Sequence, residues 1–224
     1  MKSGFLLLIL TLSLSTYAQS LDTKRFEILS GRKLNLDSKK SWDKKFNKSG
    51  YIFGKEPADS LRVNNQFFKK NSKILDLGMG EGRNAVYLAS LGHDVVGIDI
   101  SSVAVEKAHA LAKENSVQIK GIVANIKGYR FNESEFDAII CFYYVERTLI
   151  RDMMKWVKPG GLIFFEAYTK EDKKESQGKI QNKLYLLTPQ EILTMFPGWR
   201  VLKFEEPLHQ TRNYSSIIVQ RPLK

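Results

Sequence analysis

Lys73-Ile-Leu-Asp-Leu-Gly-Met-Gly-Glu-Gly82 is the stretch whose reading decides the fold. Ile74, Leu75 and Leu77 make a short apolar run around Asp76, and glycines follow at alternate positions, Gly78, Gly80 and Gly82. Residues 83–90 then read as a helix. A buried strand, a tight glycine turn and a helix start together bring backbone N–H groups close to a bound ligand. Glycine is needed because a Cβ blocks both positive φ angles and close approach. The spacing differs from the dinucleotide fingerprint G-x-G-x-x-G, whose third glycine would fall on Arg83. Here that glycine comes one residue early, and an acidic residue stands two positions before the first.

Downstream, strand and helix alternate, which predicts a parallel sheet with right-handed crossovers. Strands are expected at 73–77, 94–100, 117–124, 136–143 and 162–168. Gly92 closes the first helix as a left-handed cap, and Ser101 or Ser102 starts the next. Upstream, residues 58–70 read as a helix with Leu61, Phe67 and Phe68 on its apolar face. Lys158-Pro-Gly-Gly161 reads as a turn, and residues 171–183 as a mobile loop. Thr188-Pro-Gln-Glu191 is a capping box that begins a helix, and Pro197-Gly198 ends it. Residues 199–205 and 214–220 then form an antiparallel pair at the sheet edge. Asp99, 17 positions after Gly82 and at the end of the second strand, is placed to accept hydrogen bonds from both hydroxyls of an adenosine ribose.

The glycine loop with Asp76 resembles motif I of the class I S-adenosylmethionine-dependent methyltransferases. Trp42 through Pro57, the loop through Arg83-Asn84-Ala85, Gly97-Ile98-Asp99-Ile100-Ser101 and Lys158-Pro-Gly-Gly161 look like the tellurite-resistance and thiopurine-type branch. Glu166-Ala-Tyr-Thr169, and Glu206 with His209, fit that branch too. The resemblance implies an α/β, Rossmann-like fold: a mostly parallel seven-stranded sheet in the order 3-2-1-4-5-7-6, with an antiparallel edge strand and helices on both faces. It implies S-adenosyl-L-methionine as cofactor, held by Asp76, Gly78, Gly80, Gly82, Arg83, Asp99 and Ile100. Asn125 stands where the family usually places an aspartate for the adenine amino group; it keeps a carbonyl acceptor without charge, with the Ile126 N–H beside it. Phe142 and Tyr51 complete the expected cofactor contacts. The expected reaction is in-line displacement at the sulfonium methyl by a small-molecule nucleophile, O, N, S or a metalloid oxyanion. Tyr143, Glu166 and His209 are the candidate catalytic residues, with Tyr168 a further candidate base. The signatures for methylating adenine or amide nitrogens (Asn/Asp-Pro-Pro-Tyr) and cytosine C5 (Pro-Cys) are missing, and no metal site is expected.

Size and composition agree with one globular domain carrying an N-terminal extension: 224 residues, 43% apolar. The divisions expected are a signal-like segment at 1–18, a cap or lid at 19–71 and the cofactor-binding domain at 72–224. Cys141 is the single cysteine, so no disulfide forms within one chain. The formal charge of +11 suits an acidic partner, but the lysines are dispersed, without a dense basic block interleaved with aromatics. A small-molecule acceptor is therefore preferred over RNA or protein, and the oligomeric state is left open. Lys2, the apolar run 5–14 and Thr16-Tyr-Ala18 read as an export signal cleaved after Ala18, too short to span a bilayer comfortably. A cofactor made in the cytosol argues for the alternative, a cytoplasmic enzyme. An exported, non-catalytic ligand-binding module is the third reading.

Overall fold

A computed structural model of the chain describes residues 36–169, 186–207 and 214–224. The apolar runs read above lie side by side as β1 (Lys73–Leu77), β2 (Asp94–Asp99), β3 (Lys120–Val123), β4 (Phe136–Phe142) and β5 (Val157–Tyr168), all parallel. They are continuous rather than alternating because both faces of the sheet are covered. Ile74, Leu75 and Leu77 of β1, with Ile98, Ile139, Ile140 and Ile163, are fully buried. Each contributes roughly 1.5–3 kcal/mol of burial. β6 (Arg200–Glu205) and β7 (Tyr214–Gln220) complete one sheet in the order β3-β2-β1-β4-β5-β7-β6. The antiparallel strand is β7, which pairs with β5 on one side and with the edge strand β6 on the other.

The helices are α1 (Leu36–Phe46), α2 (Asp59–Val63), α3 (Arg83–Ser90), α4 (Ser102–Glu114), α5 (Ile150–Trp156) and α6 (Glu191–Thr194). One face of the sheet packs on Leu149, Ile150, Met153 and Trp156 at α5, and on Ile192 and Phe196 at α6. The other packs on Leu61 of α2 and on Ala85 and Leu88 of α3. α4 lies against α3 so closely that a Cβ on Gly82, at φ +85°, would sit 2.6 Å from the Ala108 Cβ. That contact fixes where the glycine loop meets both helices.

Four local expectations change. The helix expected over 58–70 is only α2 plus a 3-10 turn at Asn65–Phe67. The Asn64 and Asn65 amides donate to the Ser60 and Arg62 carbonyls, which competes with helix propagation. β3 begins at Lys120, because the Val117 N–H instead closes the end of α4 on the Ala112 carbonyl. Lys158–Gly161 is a bulge within β5 rather than a turn before it: pairing passes from Phe136↔Val157 to Ala138↔Leu162. The bulge is pinned to the C-terminal segment by Gly160 N–H on the Arg221 carbonyl and Arg221 N–H on the Gly161 carbonyl. Glu191 reaches back to the Thr188 N–H as a capping box should, yet α6 starts only at Glu191, after Gln190 at φ +60°. The signal-like segment 1–18, the 171–183 loop and His209 lie outside the described residues.

Candidate active site

Parallel strands deliver their carboxyl ends to one edge of the sheet, where β1, β2, β4 and β5 open into loops. Asp99 ends β2 almost fully buried; its carboxylate accepts from the Gly80 N–H at 2.9 Å and from the Ser101 N–H at 2.9 Å. The glycine loop is thus tied to the neighbouring strand, a link reinforced by the Gly78 and Met79 N–H groups on the Ile98 carbonyl. Burial lifts Asp99 to about 6, although the Ser101, Gly80 and Ile100 amides hold it down. Asp76, one strand over, is also buried; its Oδ2 has no hydrogen-bond partner. Burial first, and then the Asp99 charge, push it to about 7, against Arg83 and the Ala85 N–H.

Met79 has a packing role. It lies over Gly97, where a Cβ would collide with its sulfur, and against Val105 and Ala108. Asn125 follows β3 and caps the 3-10 turn Ile126–Gly128, its Oδ1 accepting from the Lys127 N–H at 3.1 Å. Ile126 is buried and Ile100 half-buried beside Asp99. Phe142 is a core residue, 5.0 Å from the Phe164 ring centroid.

A second cluster stands at the ends of β4 and β5. The Tyr143 hydroxyl donates to Glu166 Oε1 at 2.5 Å, and the Tyr143 N–H donates to the Glu166 carbonyl at 2.7 Å. Both bonds hold Tyr143 at φ +60°, a conformation that costs a side-chain-bearing residue about 1–2 kcal/mol. Its ring stacks on Tyr168 at 4.8 Å, and the Arg83 guanidinium lies 5.7 Å from its centroid. Burial, and then the adjacent Glu166, push the Tyr143 phenol well above its ordinary value, so it stays a donor. Burial raises Glu166, opposed by Ser60, Tyr143 and Arg83 and assisted by Glu205.

The segment preceding β1 covers the glycine loop. Phe46 is buried, and its ring comes within 3.6 Å of where a Gly80 Cβ would stand. Trp42 and Phe53 flank Phe46 at 5.6 and 6.1 Å. Asp43 of α1 accepts from the Ser101 hydroxyl at 2.6 Å, at the start of α4. Two residues of the loop region itself hold this cover, and nothing in the sequence pattern singled them out. Glu81, buried, accepts from the Ile52 N–H at 2.7 Å and pairs with Lys107 at 2.9 Å. Asn84 accepts from the Ala58 N–H at 2.9 Å. Tyr51, expected at the cofactor, packs on Val86, Leu111 and Ala112 and donates to the Lys107 carbonyl at 3.2 Å, so it anchors the cover onto α3 and α4. Among the described residues no group of three His, Cys, Asp or Glu side chains is placed to hold a metal, and no helix is long and apolar enough to cross a membrane.

Residues 74–161 match the family model described as a methyltransferase domain. The fold is that of the class I S-adenosylmethionine-dependent methyltransferases. TehB from Haemophilus influenzae superposes with a TM-score of 0.61 at 19% identity, covering 82% of this chain and 66% of that one. A structure solved for "Conversion of a Disulfide Bond into a Thioacetal Group during Echinomycin Biosynthesis" gives 0.65 at 18% identity, covering 83% and 92%. In sequence the chain is 36% identical over 108 residues to the ubiquinone biosynthesis O-methyltransferase of Colwellia psychrerythraea, covering 45% of this chain and 44% of the relative. The same-named protein of Hydrogenovibrio crunogenus is 30% identical over 144 residues, covering 59% and 57%. The chain therefore spans about half the length of these curated relatives.

Two outcomes test this geometry. Replacing Glu81 by Ala leaves the Ile52 and Phe53 amides and the Lys107 ammonium without their carboxylate. Amide hydrogen exchange at 52 and 53 should accelerate roughly 10- to 100-fold, with β1 and β4 amides unchanged. Asp76, raised from 3.8 to about 7, keeps in the folded state a proton that the unfolded chain has already released. The stability of the wild type relative to Asp76→Asn should therefore fall by a few kcal/mol as pH rises through that window, and be level above it, by urea unfolding.

Proposed function

We propose that this protein transfers a methyl group from S-adenosylmethionine to a small-molecule nucleophile. The observation that carries the reading is the buried Asp99 carboxylate at the end of β2, joined to the Gly80 N–H of the glycine loop. Each of its oxygens keeps a second lone pair for a ribose hydroxyl. The orphaned Asp76 Oδ2 suits the cationic amino group of the same cofactor, which relieves the burial of an unpaired carboxylate. On this reading Asn125 and the Ile126 N–H, which follow β3, would meet the adenine edge. The bound cofactor supplies a methyl already activated on a sulfonium. The chain's own work is to orient two reactants and exclude water, and the Phe46 cover over Gly80 serves the second.

The small-molecule acceptor is supported by the relatives' names, which describe O-methylation in ubiquinone biosynthesis. Membership of the tellurite-resistance and thiopurine-type branch is supported by the motif residues 42–57 and 158–161 and by the likeness to TehB. The charge of +11 favours, as a second reading, an RNA or protein acceptor; strongly salt-dependent RNA binding would support it. For location, residues 1–18 support export of a chain beginning at Gln19.

Titration calorimetry with S-adenosylmethionine should give micromolar binding. Asp99→Ala should weaken it by about 100-fold or more, the loss of two charge-assisted hydrogen bonds. Unchanged affinity in that variant, or no binding by the wild type, rejects the proposal. The N-terminal residue of the chain recovered from the extracytoplasmic fraction of its source cell should be Gln19. Recovery only from the cytoplasm with residues 1–18 intact rejects export.

A further inference from the structure

The 3-10 turn Ile126–Gly128 after β3 spends its acceptors on itself and its neighbours. The Asn125 carbonyl takes the Gly128 and Tyr129 N–H groups at 2.9 and 3.1 Å, and the Ile126 carbonyl takes the Tyr129 N–H at 3.2 Å. The Lys127 carbonyl takes the Arg130 guanidinium at 3.1 Å. Asn125 Oδ1, the acceptor that the sequence offers at this position, takes the Lys127 N–H at 3.1 Å. That bond fixes which way the amide points, because an N–H needs the oxygen and not the nitrogen opposite it. With Oδ1 turned to the backbone, the half-buried side chain carries its Nδ2 amino group on the outer side. The carboxylate bonded to this turn is committed as well: Glu146 pairs with Lys127 and accepts from the Thr148 N–H and hydroxyl.

β3 is the strand beyond β2, and the Ala124 N–H donates to the Asp99 carbonyl at 2.9 Å. The end of β3 is thereby fastened to the residue proposed above to hold the ribose, and a base attached to that ribose falls against the turn. Resting on the methyltransferase reading, we propose that the base site is blind to the purine 6-amino group. Asn125 Nδ2 and the Ile126 N–H donate to ring nitrogens, and no acceptor of the turn meets the amino group. The ring nitrogens of a purine accept hydrogen bonds, whereas its 6-amino group donates them.

Asn125 is the residue that sets this selectivity. An aspartate in the same pose caps the turn with one oxygen and keeps the other for a donor on the base. The asparagine puts an NH2 in that second place, so a 6-amino group there would set donor against donor. Deleting the amino group from the ligand then costs no hydrogen bond to the protein. Asn125→Asp preserves the shape and the cap and supplies a charged acceptor, whose hydrogen bonds are stronger than those of a neutral one. Selectivity for the 6-position therefore separates from stability of the turn.

The test titrates the full chain by calorimetry with S-adenosylhomocysteine and with its analogue carrying hydrogen in place of the 6-amino group. The wild type should bind the analogue no more than about threefold more weakly than the parent. Asn125→Asp should prefer the parent by about tenfold or more, the worth of one charge-assisted hydrogen bond. A merely structural Asn125 would move both affinities together and leave their ratio unchanged. A wild-type preference for the parent beyond about threefold, or an unchanged ratio in Asn125→Asp, overturns the proposal and leaves the methyltransferase reading intact. Failure of the wild type to bind either ligand overturns both.

Discussion

The hydrogen bond from the Gly80 N–H to the Asp99 carboxylate is the constraint on which the rest of the site depends. It joins the turn after β1 to the end of β2, so two loops that form independently along the chain become one surface. Because the carboxylate is buried, it stands in a low-dielectric setting where an unpaired charge is costly and a hydrogen-bonding ligand is rewarded. Asp76 shares that setting, and the repulsion between the two carboxylates is part of why both sit above their ordinary pKa. A site that holds two buried carboxylates in a fold this regular is storing free energy that binding can release.

The cover over the loop follows from the same economy of polar groups. Glu81 and Asn84 belong to the loop and to α3, yet their side chains satisfy backbone N–H groups of residues 52, 53 and 58. The region that cradles the ligand is therefore also the region that seats the cover, and Lys107 of α4 joins both through the Glu81 carboxylate and the Gly50 carbonyl. Phe46 then closes the apolar side of the loop above Gly80. At the ends of β4 and β5, the strained Tyr143 is bonded to the buried Glu166.

Much of this was legible in one dimension because it rests on local chemistry. Continuous apolar runs announced strands covered on both faces, the alternate glycines announced a loop that carries no Cβ, and Ser101 announced the start of α4, which it caps by accepting from the Ala104 N–H. Where expectation and structure part, a non-local or competing bond is responsible. Asn64 and Asn65 shorten the helix before β1 by taking its carbonyls, and the Arg221 backbone draws Lys158–Gly161 into a bulge of β5. Tyr51 was expected at the cofactor from the resemblance, and its side chain anchors the cover on α3 and α4.

The sequence by itself determined the class of the fold, the glycine loop after β1 and the acidic residue that ends β2, because each depends on residues close together in the chain and on a period set by backbone geometry. The signal-like segment at 1–18 lies outside the described residues. Only the tertiary structure decided which buried polar atoms are satisfied. The pairing of Tyr143 with Glu166 spans 23 positions and that of Glu81 with Ile52 spans 29, and Ser60 meets Glu166 only because α2 packs over β5. Satisfaction of a buried group is a property of its surroundings in three dimensions, which is why Tyr143 and Glu166 could be named from the chain and the bond between them could not.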